Sequence, residues 1–269
     1  MKYRAALPEH NDNVSHEHPL KEFFVLLAGA IGVIGVVYLM LGLFIDFAVD
    51  YVTPEMELRI FRTTDMIWEE SGVQKDDERR QSLQALMGEV GTCLKIAYPI
   101  TVRISESEQI NAFAIPGGTV IVHTALLDAL ASKNGLAFVL AHELGHFQNR
   151  DHLRAMGRGI VLLAIFAALG GGGTDLSDML VPVTDYETAR FSQERESEAD
   201  ATALRALNCL YGHIGGATEL FEVISESGND VDFSFTHYFS SHPAARQRIA
   251  ELHRLSEQLG FSLADTLPK

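Results

Sequence analysis

Cysteine is scarce. Only Cys93 and Cys209 occur among 269 residues, too few for a disulfide scaffold; they could form one bridge or stay two buried thiols, and their number does not identify the redox compartment. Basic side chains are also in deficit, with 21 Lys and Arg against 36 Asp and Glu and a formal net charge of −15. A surface built to neutralise phosphates is thereby excluded, and nucleic acid is not an expected partner. The 8 Pro and 22 Gly follow no short period and no longer repeat is present, which excludes collagen-like and solenoid chains. A hydrophobic share of 47% excludes a disordered chain and fits one globular domain plus an appendage.

The appendage lies at the N-terminal side, where charge is missing altogether from Phe23 to Ile45. A helix over those 23 residues is about 34 Å long, enough to cross the hydrocarbon core of a bilayer. Tyr38 is its one polar side chain, so it has no polar stripe of the kind a core helix keeps. A cleaved signal peptide fits less well, because its apolar region runs only ~7–15 residues and needs a small-residue site after it. We therefore expect a polar tail over 1–22, a transmembrane signal anchor over 23–47 and a membrane lipid bilayer as partner. Lys2, Arg4 and Lys21 precede the span, while Arg59 and Arg62 follow at greater distance. That asymmetry places the tail in the cytoplasm and the remainder across the membrane, in a bacterium the periplasm. His10, His16 and His18 in the tail read as a solvated segment rather than a metal site. Ala28-x-x-x-Gly32 is a small-residue pattern compatible with a homo-oligomer.

Beyond the span, Thr53-Pro54 is a cap-and-proline start for a helix to about Glu70, and Asp76-Asp77-Glu78 opens another to about Leu94. Three short strands follow: Ile100–Ile104, Asn111–Ile115 and, after a Pro-Gly-Gly turn, Thr119–Val122. Helical patterns then cover 124–131, 134–149, 186–209, 214–227 and 243–258. The expected fold class is α+β, predominantly helical, with one small sheet. Ile160–Leu169 is a second apolar run, too short to span a bilayer, which reads as a buried or membrane-facing helix before a Gly170–Gly173 loop.

Within the helix 134–149 stands His142-Glu143-Leu144-Gly145-His146. Positions four apart share a helix face, so both imidazoles can reach one cation while Glu143 sits beside its open position. A catalytic zinc needs a third protein ligand. Glu196-Ser-Glu198-Ala199-Asp200 supplies a candidate: Glu196 and Asp200 are again four apart, the first placed to bind metal and the second to orient a ligand imidazole. Glu198 points to another face. Main-chain pairing along the strand Asn111, Ala112, Phe113 and Ala114 could hold an extended polypeptide, though an ordinary covered strand reads the same way. His123, His152, His213, His237 and His253 have no spacing that recruits them to the site.

These motifs in order, His142-Glu143-x-x-His146, Glu196-x-x-Ala199-Asp200 and Ser241-His242-Pro243 with Arg248, resemble those of the HtpX, CAAX-prenyl-endopeptidase and Oma-type membrane-linked zinc metallopeptidases. Asn111-Ala-Phe-Ala-Ile-Pro-Gly-Gly118 resembles the strand and turn before their metal helix, and the likeness runs over roughly residues 55–257. It implies a compact zincin-like (gluzincin) metallopeptidase domain, here over 53–262, with one zinc ion per chain, endopeptidase activity and polypeptide substrates. It also implies that His242 or Arg248 donates to the reaction's oxyanion; as alternatives, His242 could simply begin a helix and Arg248 pair with an acidic neighbour. Members of that family carry several membrane spans and this chain one, so prenylated substrates are not expected. The rival expectation is a membrane-anchored holdase or assembly factor with a latent metal site.

Overall fold

The computed structural model describes residues 19–61, 77–96, 98–168, 193–226 and 245–269. His10, His16 and His18, the loop 170–173, and His237, Ser241, His242 and Pro243 lie outside the described residues.

Helix α1 (Pro19–Val49) begins a turn before the predicted span 23–47 and ends just past it, and is, among the described residues, the one helix long and apolar enough to cross a membrane. None of its most apolar stretch is buried by the protein. The Thr53-Pro54 signal opens α2 (Pro54–Phe61), with the Thr53 hydroxyl accepting from the Met56 amide at 3.2 Å. The chain re-enters in α3 (Asp77–Cys93) and then forms β1 (Thr101–Ser105), β2 (Ala112–Ile115) and β3 (Thr119–His123). The sheet order is β1-β3-β2, with β1 parallel and β2 antiparallel to β3. Gly117 and Gly118 turn β2 back into β3 with φ of 94° and 81°, a region that side chains with a Cβ rarely adopt.

Helices α4 (Thr124–Ala129), α5 (Lys133–Gln148), α6 (Asp151–Ala168), α7 (Gln193–Tyr211), α8 (Glu219–Glu226) and α9 (Ala245–Leu259) complete the described elements. The chain is thus mostly helical with one small sheet, as its patterning implies. Two boundaries differ instructively. The helix expected from 214 starts at Glu219, because Gly216 holds φ at 93° and breaks the run. The apolar run from Ile160 is the second half of α6, which begins nine residues earlier at Asp151.

The centre of the molecule is α5. Every residue from Asn134 to Phe147 is buried, against α7, α3, α6 and β2. Phe138, Leu140 and Leu144 meet Leu204, Leu207, Phe221 and Met87 in one core. Gly145 lets α7 come close: a Cβ there would stand 2.8 Å from Ala199 Cα. Cys93 and Cys209 form a disulfide joining the ends of α3 and α7.

Candidate metal centre

The start of α5 is built for precision. Ser132 caps it, its hydroxyl accepting from the Gly135 amide at 2.8 Å, while Glu219 of α8 accepts from the Ala131 and Ser132 amides at 2.6 and 3.0 Å. A carboxylate at this end complements the helix dipole. Two and a half turns on, His142 and His146 project from one face, as four-residue spacing requires. Their Nε2 atoms lie 3.1 Å apart. Glu196, in the first turn of α7, completes the trio with carboxylate oxygens 3.5 Å from His142 Nε2 and 3.4 Å from His146 Nε2. All three side chains are buried, with every ligand atom within 4.8 Å of the others. A tetrahedral site with bonds of ~2.0–2.2 Å separates its ligand atoms by roughly 3.3 Å, so the trio fits a small divalent cation and leaves a fourth position for water. Glu143, next to His142, is 2% exposed.

Each imidazole is oriented from behind. Asp200 Oδ1 lies 3.0 Å from His142 Nδ1, and Asp151 Oδ2 lies 3.0 Å from His146 Nδ1. Accepting the Nδ1 proton fixes the tautomer that leaves both Nε2 lone pairs for metal. Each aspartate is backed by an arginine: Arg248 donates to both oxygens of Asp200, with Nε at 2.9 Å from Oδ2, and Arg195 pairs with Asp151. Arg248 also reaches Glu196 at 2.8 Å and lies over the Phe221 ring. Burial disfavours the Asp200 carboxylate, but the Arg248 charge and the His142 hydrogen bond outweigh it and hold Asp200 below the usual carboxylate range. Burial likewise opposes charge on His146, yet hydrogen bonds to Asp151 and Glu196 and the nearby Glu143 overcome it and raise its pKa to about 9.

The structure therefore brings together His142, Glu143, His146, Glu196 and Asp200. Glu198 is exposed and accepts from Asn149. Arg248, expected either at the oxyanion or on an acidic neighbour, is 5% exposed with its guanidinium on Asp200 and Glu196. Asn111, Ala112, Phe113 and Ala114 are buried on or beside β2, against α5; β2 pairs with β3 along one edge, and its other edge carries no strand among the described residues. Asp151 and Arg195 escaped the sequence reading, since an acid opening a helix reads as an ordinary dipole partner. Glu57 escaped it too, whereas His152, left outside the site by its spacing, is a buried structural partner. Glu57, 2% exposed, accepts from His152 Nε2 and the Gly117 amide, both at 2.9 Å, so α2 ties the β2–β3 turn to the start of α6.

A sequence profile of peptidase family M48 matches residues 74–256, more than half of the chain and all of this site. The chain belongs to peptidase family M48. It is similar to an HtpX protease homolog of Gemmatimonas aurantiaca, at 28% identity over 58% of this chain and 69% of that relative. It is also similar to the beta-barrel assembly-enhancing protease of Yersinia pestis, at 31% identity over 44% of this chain and 26% of the relative. The mitochondrial metalloendopeptidase OMA1 of Danio rerio matches at 28% identity over 59% of this chain and 36% of the relative. The chain thus spans well under half the length of the latter two. The chain is thus a member of a metallopeptidase family, with a candidate His-His-Glu metal site and one candidate membrane helix among its described residues.

Proposed function

We propose that the chain is a membrane-anchored zinc endopeptidase of envelope protein quality control, cleaving unfolded or misassembled polypeptides at the periplasmic face of a bacterial inner membrane. The observation that carries this reading is Glu143 buried beside the His142-His146-Glu196 trio, since a purely structural metal has no use for a base at that position. That same residue weighs against the holdase alternative. Nitrogen and carboxylate ligands in four-coordination favour zinc. The names of the relatives, an HtpX protease homolog and a beta-barrel assembly-enhancing protease, support the quality-control role. The Cys93–Cys209 disulfide supports an oxidising compartment for the 53–262 domain, in line with the basic residues before the span.

Zinc, when bound, supplies a Lewis acid that acidifies a water and polarises a peptide carbonyl. His142, His146 and Glu196 hold it; Asp200 and Asp151 keep the two imidazoles in the ligating tautomer. Glu143 takes the proton of the attacking water and returns it to the leaving amine. Arg248 holds Asp200 and Glu196 in register, and His242 is the candidate donor to the oxyanion. The strand Asn111–Ala114 offers main-chain groups for an extended substrate, which would make cleavage tolerant of sequence.

Incubating the detergent-solubilised chain with casein and with a tightly folded protein tests this reading. Casein is expected to be cut at internal bonds, the folded protein to survive, chelation to stop cleavage and zinc to restore it. Release of single N-terminal residues, or cleavage indifferent to chelation, would overturn it.

A further inference from the structure

Helix α6 has two halves of opposite character. Asp151 to Arg158 carries charge and contacts the metal site, whereas Ile160 to Ala168 reads IVLLAIFAA with no polar side chain. The polar half is locked antiparallel to the end of α1. Arg158 pairs with Asp46 at 2.8 Å, Arg154 with Asp50 at 2.5 Å, and Arg150 donates to the Val49 carbonyl at 3.4 Å. Between these pairs the helices nearly touch, for a Cβ on Gly157 would stand 2.7 Å from Ile45 Cγ2. Register is therefore set: α1 descends into its charge-free stretch at Ile45 just where α6 passes Gly157. The ten helical steps from Arg158 to Ala168 then advance about 15 Å, bringing the end of α6 level with the region of Val36. That depth is inside the apolar stretch Phe23–Ile45. Ile160 is 48% exposed, and Leu43 and Phe44 of α1, at about the same level by that register, are 66% and 64% exposed.

A second marker fixes the level independently. The Phe47 and Tyr51 rings lie 4.9 Å apart, tilted to each other and both exposed, in the same turn at the end of α1 as Asp46 and Asp50. Tyrosine, with an apolar ring and a polar tip, collects at the boundary between acyl chains and headgroups, and Tyr51 is the residue placed there.

We infer that the Ile160–Ala168 half of α6 is inserted in the bilayer against α1, the exposed Ile160 meeting lipid acyl chains, with the Asp46/Asp50–Arg154/Arg158 collar at headgroup level. Nine residues can occupy about half of a bilayer's hydrocarbon core, so the element enters one leaflet without crossing. Asp151, which orients His146, stands three residues beyond Arg154 and seven beyond Arg158 of the collar. The metal site is thereby held about 5–10 Å above the collar on a rigid helix, close to the membrane surface. This inference rests on α1 as a membrane span and not on the peptidase chemistry.

Tryptophan fluorescence of the full chain in lipid vesicles tests it. In a Trp68→Phe background, single tryptophans replace Ile160 or Ile165, with Phe44→Trp as the immersed reference and Leu263→Trp as the exposed one. Lipids brominated on the acyl chains are expected to quench the Ile160 and Ile165 probes to the extent seen for Phe44→Trp, and aqueous iodide to leave them unquenched. Quenching by iodide would place the segment in water; quenching by neither agent would place it under protein. Either result overturns the inference, and neither bears on catalysis. Ile160 is already exposed and tolerates a larger ring, so that variant carries the test if Ile165→Trp does not fold, as judged by its thermal transition.

Discussion

At the residue scale, the site is two aspartate–histidine pairs whose Nε2 atoms converge with Glu196 on one candidate metal position. Because each aspartate also holds an arginine, its contribution is orientation as much as charge. Asp200→Asn and Asp151→Asn are each expected to weaken zinc affinity about 10–100-fold with the helices intact, read by competition against a chelating dye. The raised pKa of His146 makes a second prediction with a definite sign. Its folded value of about 9 exceeds the ~6.5 of an unfolded histidine. Protonation therefore stabilises the metal-free fold fully below about pH 6.5, and that stabilisation is lost as pH rises through about 9. The melting temperature of the metal-free chain should fall over this interval. With zinc bound the proton is already displaced, and the same scan should show no such fall.

At the scale of elements, the contact between α5 and α7 decides whether the trio can form. Glu196 reaches the histidines only because Gly145 admits the Ala199 backbone. Gly145→Ala should cost about 1–3 kcal/mol in denaturant unfolding and lower zinc content in parallel. Much of this scale was legible in sequence. The four-residue spacings of His142/His146 and Glu196/Asp200 report a helix face directly, the Thr53-Pro54 pair reports a helix start, and alternation reports the strands. What was not legible depends on distant pairing. Asp151 and Glu57 look like ordinary acids in first helical turns until the fold buries them against His146 and His152. Arg248 is a similar case, since nothing in one helix says which carboxylates another will present to it.

At the scale of the whole molecule, a candidate membrane helix precedes a buried site held by two packed helices and a disulfide. Cys93 and Cys209 are 116 residues apart and clamp α3 to the far end of the helix bearing Glu196. Cys209→Ser should destabilise the domain by about 2–5 kcal/mol, and reductant should do the same to the native chain but not to the variant. The account's central claim is that one metal and Glu143 together make this a peptidase. It is tested most directly by measuring metal content and casein turnover for the purified full chain beside Glu143→Gln. Equal metal, one ion per chain, with turnover reduced ~10²–10⁴-fold in the variant is the predicted result. Undiminished cleavage by Glu143→Gln, or metal-loaded protein of both forms that leaves casein intact, would contradict it and favour a chaperone.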